Sequence, residues 1–288
     1  MAPSRLSLLV LLAAGSIASS LAETEWYTRN RNTIESIYNL TVYPHNLAVL
    51  NGSIPPGLFD DNANGRITPV GEFFGFQDSV EYFWGLAPVP SGHPPNAVFA
   101  SADVVHFVSG CPEVAASTVY FTYKTLNPDN TPGAFVTKLK QVAFWHFDAA
   151  GAVLAYDAWI PNIQKTVGHT QPGGATPAGR NATISTLCTA QATTCVGDNE
   201  VYADADECVH ILGQRDFGDW DDVWGDNVVC RLIHARLAIL RPEVHCVHVG
   251  PTGGGKCVDV EYNDVYYNDE LVFGEHGAAT FDCGTYRD

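Results

Sequence analysis

Apolar residues change their spacing twice along the chain, and the changes mark off three stretches. Behind Asn32-Thr-Ile-Glu35, an amide N-cap with a carboxylate three residues on, Ile34, Ile37, Tyr38 and Thr41 recur at helical spacing until Pro44. A second short helix is predicted over residues 78–84, with Val80, Phe83 and Trp84 apolar and Gly85 as its stop. The period then changes. Residues 98–108, 117–125, 135–147 and 152–160 are rich in Val, Phe, Tyr and Thr. Turn signals separate them at Ser109-Gly110, Asn127-Pro-Asp-Asn130 and Asp148-Ala-Ala-Gly151. Two helices followed by long meandering strands predict an α+β layer in which a curved antiparallel sheet wraps the helices.

Residues 166–187 read as a linker, rich in Gly, Pro and Thr. Beyond it, residues 205–214 and 228–240 read as helices. The second carries Val229, Ile233, Leu237 and Leu240 on one stripe and ends at Arg241-Pro242. Cys208 and Cys230 sit on these two helices, so a bridge between them would staple the pair. The tail from Cys257 to Cys283 reads as strand or loop. The divisions are therefore 1–22, 23–165, a linker at 166–187, and a Cys-rich extension over 188–288.

Residues 1–22 read as a secretory signal: Arg5, an apolar run from Leu6 to Ala14, then Ser20-Leu21-Ala22 as a small-x-small cleavage site. The run is much shorter than the roughly 20 residues that a bilayer span needs. Eight cysteines, seven of them after residue 187, then read as disulfides: Cys111, Cys188, Cys195, Cys208, Cys230, Cys246, Cys257 and Cys283. Connectivity does not follow from spacing. Sequons at Asn39, Asn51 and Asn181 predict a secreted, extracellular glycoprotein. The net charge of −17 argues against nucleic acid or an anionic membrane as partner; a small-molecule ligand or substrate is the partner expected.

Gly65-Arg-Ile-Thr-Pro-Val-Gly-Glu-Phe-Phe-Gly-Phe-Gln-Asp-Ser-Val-Glu-Tyr-Phe-Trp-Gly-Leu86 and Val142-Ala-Phe-Trp-His-Phe-Asp-Ala-Ala-Gly-Ala-Val-Leu-Ala-Tyr-Asp157 resemble a loop-helix and a last hairpin of the NTF2-like superfamily, in its SnoaL-like fungal secreted branch. The resemblance covers residues 30–165. It implies a cone of helices cupped by a bent sheet around an apolar cavity, with or without catalysis. Catalytic relatives act as dehydratases, isomerases or cyclases without a cofactor.

Polar residues inside apolar strands are the candidate acid–base groups: His106, His146, Asp157 and Tyr120, with Tyr82 as a further hydrogen-bond donor. Which of them faces the cavity depends on strand register. His234, His245 and His248 form the best metal-like group, but oxidised cysteines and the lack of a fourth ligand lead to an expectation of no metal and no cofactor. Gly250-Pro-Thr-Gly-Gly-Gly-Lys256 has phosphate-loop spacing, yet Cys257 replaces the Ser/Thr and a tight disulfide-held loop is expected. Asp60-Asp-Asn-Ala-Asn-Gly65 lacks the twelfth calcium ligand and reads as a surface turn. The loop carrying Trp220 and Trp224 reads as solvated and acidic. Three classes stay open: a lyase or isomerase, a non-catalytic binder, and an effector-like secreted protein.

Overall fold

The computed structural model describes residues 25–92, 95–274, 281 and 283, so the signal at 1–22 lies outside the described residues. Helix α1 (Glu25–Leu40) buries Asn30, Ile34, Ile37 and Tyr38. It starts earlier than the Asn32 signal suggests because Asn30 is drawn into the core, its amide donating to Ser109 Oγ (3.0 Å) and the Pro112 carbonyl (3.0 Å). After α2 (His45–Leu50) come β1 (Phe59–Thr68) and β2 (Gly71–Phe74). Helix α3 (Gly75–Val80) runs into a π-helical turn, Glu81–Gly85, all of whose residues are buried. Strands β3 (Ala97–Cys111), β4 (Val114–Leu126), β5 (Pro132–Phe147) and β6 (Val153–Trp159) complete one six-stranded sheet in the order β2-β1-β6-β5-β4-β3.

Four of the five pairings are antiparallel; β1 and β6 run parallel. The polar run 60–65, expected as a surface turn, is strand here. Asn64 and Gly65 pair with Ala155 and Tyr156 of β6, which overrides their low strand propensity, and 60–63 form the irregular stretch between the paired Phe59 and Asn64. Gly65 is needed where it sits, because a Cβ there would lie 1.9 Å from the Tyr156 ring. The α+β cone expected from the NTF2-like resemblance is present: α1 and α3 lie inside the curved sheet. Its closed end is filled by Tyr38, Phe59, Phe83, Trp84, Phe121, Trp145 and Tyr156, packed mostly edge to face.

Residues 166–187, expected as a linker, form the end of α4 (Ile163–Thr170) and much of α5 (Pro177–Thr194). Thr176 caps α5 by accepting from Gly179 N–H, and Pro177 occupies the first turn, where its missing N–H costs nothing. Helices α6 (Ala205–Leu212), α7 (Val228–Leu237) and α8 (Pro242–Val249) follow, N-capped in α6 and α7 by Asp204 and Asn227. The tail, expected as strand or loop, contains two short helices, α9 (Tyr262–Tyr266) and α10 (Asp269–Phe273).

All eight cysteines are paired: Cys111–Cys283, Cys188–Cys208, Cys195–Cys246 and Cys230–Cys257. The staple imagined between Cys208 and Cys230 is corrected: α6 is tied to α5 and α7 to the glycine-rich loop, because α7 turns Cys230 toward Cys257. That loop is the tight, disulfide-held turn expected, with Gly253, Gly254 and Gly255 all at positive φ. The three sequon asparagines are exposed. Among the described residues no helix is long and apolar enough to cross a membrane.

Candidate functional site

Strand parity decides which side chains can meet a ligand, and the register answers the question for the four candidates. Trp145 faces Tyr156 across β5–β6 and both are buried inside the cone, so Phe144, His146 and Asp157 point to the opposite face. On β4, Val119 and Phe121 point inward and Tyr120 therefore outward, where the Lys138 ammonium sits 5.8 Å from its ring. His106, beside inward Phe107, is exposed on the same outer face. None of the four lines the cone's interior.

Each has other surroundings. Asp157 binds Arg66, a buried guanidinium, at 2.5 Å, and Asp269 of α10 holds the same guanidinium at 2.7 Å. His146 lies 5.1 Å from the ring of Phe281. His106 and Asp157 share only a shallow outer groove with Phe144 and Trp159.

The cavity lies at the open end of the cone. Sheet residues Phe99, Phe121, Tyr123, Leu139, Gln141 and Ile160 form its floor, and Tyr82 and the segment Leu86–Val89 form one wall. Helices α4, α5 and α7 roof it through Ile163, Val167, Thr183, Leu232 and Ile233, with Trp220 at the side. Its volume is about 670 Å³, within the range of sites for drug-sized ligands. Thus the acidic loop contributes one tryptophan to the cavity, while Trp224 packs edge-on against Tyr266 at 4.5 Å.

A polar chain crosses the floor. Tyr82 O–H donates to Gln141 Oε1 (3.0 Å), Gln141 Nε2 donates to Tyr38 Oη (3.2 Å), and Trp145 Nε1 donates to Ser117 Oγ (2.9 Å) deeper in. Burial pushes the Tyr82 and Tyr123 phenols well above their ordinary pKa, so both stay protonated. The Tyr123 phenol also feels the charge of Arg236, which donates through Nε to the Gly85 carbonyl (3.1 Å) and through Nη2 to that of Ala87. Among the described residues lining the cavity there is no Asp, Glu, His, Lys or Cys. Its polar groups are the Tyr82 and Tyr123 phenols, the Arg236 guanidinium, the amides of Asn96, Gln141 and Gln171, and Ser and Thr hydroxyls.

A second cluster sits where α7 and α8 meet the π-turn. Glu81, buried, receives both Nε and Nη2 of Arg241, the latter at 2.6 Å, and Arg241 Nη2 also reaches Asp78 (2.5 Å). His245 Nε2 binds Glu81 Oε2 at 2.9 Å. Burial raises the Glu81 pKa, but the His245 and Arg241 contacts outweigh it and hold the carboxyl below the usual range. His234 Nδ1 stands 3.1 Å from His245 Nδ1 and 3.2 Å from His248 Nδ1. Burial, then His248 and His245, hold His234 well below the ordinary histidine value. His248 is pushed down to about 4, by burial first and then by His245 and Lys256.

The sign of the resulting pH dependence is fixed. Between about pH 6.5 and 4 the unfolded chain binds protons on these histidines that the folded one refuses, so stability falls as pH falls through that window. With a discount for partial exposure, about 2 kcal/mol is lost by pH 5, or roughly 4–8 °C in Tm. Thermal melts of chelator-treated protein at pH 7 and 5 check this, and His248→Gln should flatten the slope.

Comparison with known proteins places these features in context. Residues 146–260, from the end of β5 through the Cys230–Cys257 loop, match the family model described as the BfoA family C-terminal domain. The chain is 25% identical over 245 residues to "Bifonsecin B biosynthesis cluster protein A" of Aspergillus brasiliensis, covering 79% of this chain and 80% of that relative. It is 24% identical to "Aurasperone B biosynthesis cluster protein A" of Aspergillus niger, covering 79% and 78%. Among solved structures it is similar to a putative SnoaL-like polyketide cyclase from Jannaschia sp. CCS1, at 12% identity over 52% of this chain and 98% of that one, with a TM-score of 0.35.

Proposed function

We propose that this protein, exported from a fungal cell, holds one small aromatic molecule bearing a carbonyl or phenol oxygen in the cavity at the mouth of the cone. The observation that carries the reading is the cavity's composition: apolar and aromatic walls around a few donors that converge on its floor. Apolar walls take the ring system, and Tyr123 and Arg236 orient an acceptor oxygen, while Tyr82, whose hydrogen goes to Gln141, fixes the floor. The four disulfides support an extracellular setting. The relatives' names refer to biosynthetic clusters, which supports a secondary metabolite as the ligand.

Holding and orienting is favoured over proton transfer, because the described lining residues include no carboxylate or imidazole to act as a base. A second reading rests on those same donors. The neutral Tyr123 phenol and the Arg236 guanidinium would stabilise negative charge developing on a carbonyl oxygen, as a cofactor-independent lyase, isomerase or cyclase requires.

The test uses 2-naphthol, a fluorescent fused-ring phenol, as probe. One molecule should bind per chain, and Val89→Trp at the rim or Leu139→Trp on the floor should weaken binding at least 10-fold. Asp157→Asn and His106→Gln, on the outer face, should leave affinity unchanged. Loss of binding in these two variants, with the rim and floor variants unaffected, would move the site to the outer groove and end this reading.

A further inference from the structure

The geometry points to a divalent cation site of the zinc or copper(II) type formed by Nδ1 of His234, His245 and His248. It lies apart from the cavity, none of whose lining residues it shares, and it does not depend on the ligand reading above.

The three nitrogens converge. An ion about 2.05 Å from each would see the 3.1 Å and 3.2 Å separations as angles of about 100°, close to tetrahedral. Protonation points the same way. The Glu81 carboxylate can only accept, so His245 as a metal ligand keeps its hydrogen on Nε2 and offers the Nδ1 lone pair inward. His248 Nδ1 and His245 Nδ1 both look at His234 Nδ1, and with a lone pair on His245 Nδ1 no choice of tautomers for His234 and His248 gives both contacts a donor–acceptor pair of their own. A divalent ion satisfies all three lone pairs at once, with His234 moving its hydrogen to Nε2.

The surroundings are those of a supported metal ligand. A carboxylate behind a ligating imidazole fixes its tautomer and orientation, and Glu81 does so for His245 while Arg241 holds Glu81 in turn. Gly254 makes room for His248: a Cβ there would stand 2.8 Å from the His248 ring and 2.8 Å from the Val247 carbonyl oxygen. The expectation of no metal rested on the missing fourth ligand and on oxidised cysteines. Three imidazoles with one open position are a recognised zinc set and need neither. Two cations oppose the site: Lys256, whose charge acts on both His234 and His248, and Arg231, whose charge acts on His234.

The test takes the full secreted chain, stripped with chelator and dialysed, and titrates it calorimetrically with ZnCl2 and, separately, CuSO4. One ion should bind per chain for either or both metals, and the copper-loaded protein should show nitrogen hyperfine structure by electron paramagnetic resonance. His248→Gln, at a half-buried ring that does not touch Glu81, should weaken binding at least 100-fold. Glu81→Gln should weaken it roughly 10–100-fold, the usual effect of removing a ligand's supporting group. Lys256→Gln should tighten it. Because Glu81→Gln can also unsettle the fold, the Lys256 and His248 variants decide. Absence of stoichiometric binding, or binding that His248→Gln leaves unchanged, overturns the proposal and assigns any uptake to the surface carboxylates of the 216–222 loop.

Discussion

Glu81→Ala is expected to destabilise the protein by about 3–5 kcal/mol, the cost of breaking a buried ion pair by removing one partner. Glu81 is 3% exposed and makes three contacts, two with Arg241 nitrogens and one with His245. Removing it leaves His245 Nε2–H without an acceptor, and Arg241 keeps only Asp78. The His245 loss adds a desolvation cost that water cannot reach in to offset, whereas Arg241 is partly open to solvent. Glu81 belongs to the cone, whereas Arg241 and His245 flank and form α8, so the carboxylate also joins the two halves of the molecule. Tm should therefore drop by roughly 10 °C, with both halves still melting together. Arg241→Met made in the Glu81→Ala background should add less than it costs alone, a coupling of about 1–3 kcal/mol in a double-mutant cycle. Additive effects, or a loss under about 1 kcal/mol, would mean the network contributes nothing to the junction.

Removing the Cys195–Cys246 bridge as a double alanine variant should cost about 4 kcal/mol, the chain-entropy value for a loop of 51 residues. Both cysteines are buried with Ala238, so the small alanine side chains add little strain. The bridge fixes the end of α5 to α8, the helix that carries His245 and His248, and it closes a loop containing α6 and α7. The Cys188–Cys208 bridge closes only 20 residues and should cost about 3 kcal/mol when removed in the same way. Denaturant melts of the two variants rank them. An unchanged midpoint for Cys195→Ala/Cys246→Ala would show that this pair does not tie the helices, and peptide mapping without reduction would reveal the true partners.

The cone's strands were legible because long runs of Val, Phe, Tyr and Thr between strong turn signals specify strand locally. Residues 98–108, 117–125, 135–147 and 152–160 each fall within or beside a strand of the structure. Where a polar segment borrows its structure from a neighbour, the sequence is silent: Asn64 and Gly65 of β1 follow the polar run 60–62 and owe their strand to β6. The start of α5 had a local signal, Thr176-Pro177, which the surrounding glycines obscured. For the site, the residue types were visible but not their directions. Asp157 looked like a base and serves as the partner of buried Arg66, while Gln141 and Tyr123, which carry no acid–base signature, face the cavity. Arg236 could have been noticed as the cation one position past the apolar stripe of α7, but only the packing of α7 on the cone turns it inward.

The amino-acid order alone determined the α+β class, the long strands and the oxidised state expected of the cysteines, because propensity, turn chemistry and cysteine usage act within a few residues or on composition. Tertiary structure decided the rest: the disulfide partners, the face on which each strand residue lies, the cavity roofed by α4, α5 and α7, and the meeting of His234, His245 and His248. Each of these depends on segments far apart in the chain arriving at one place. Local interactions do not encode that distance; the burial of the shared core does.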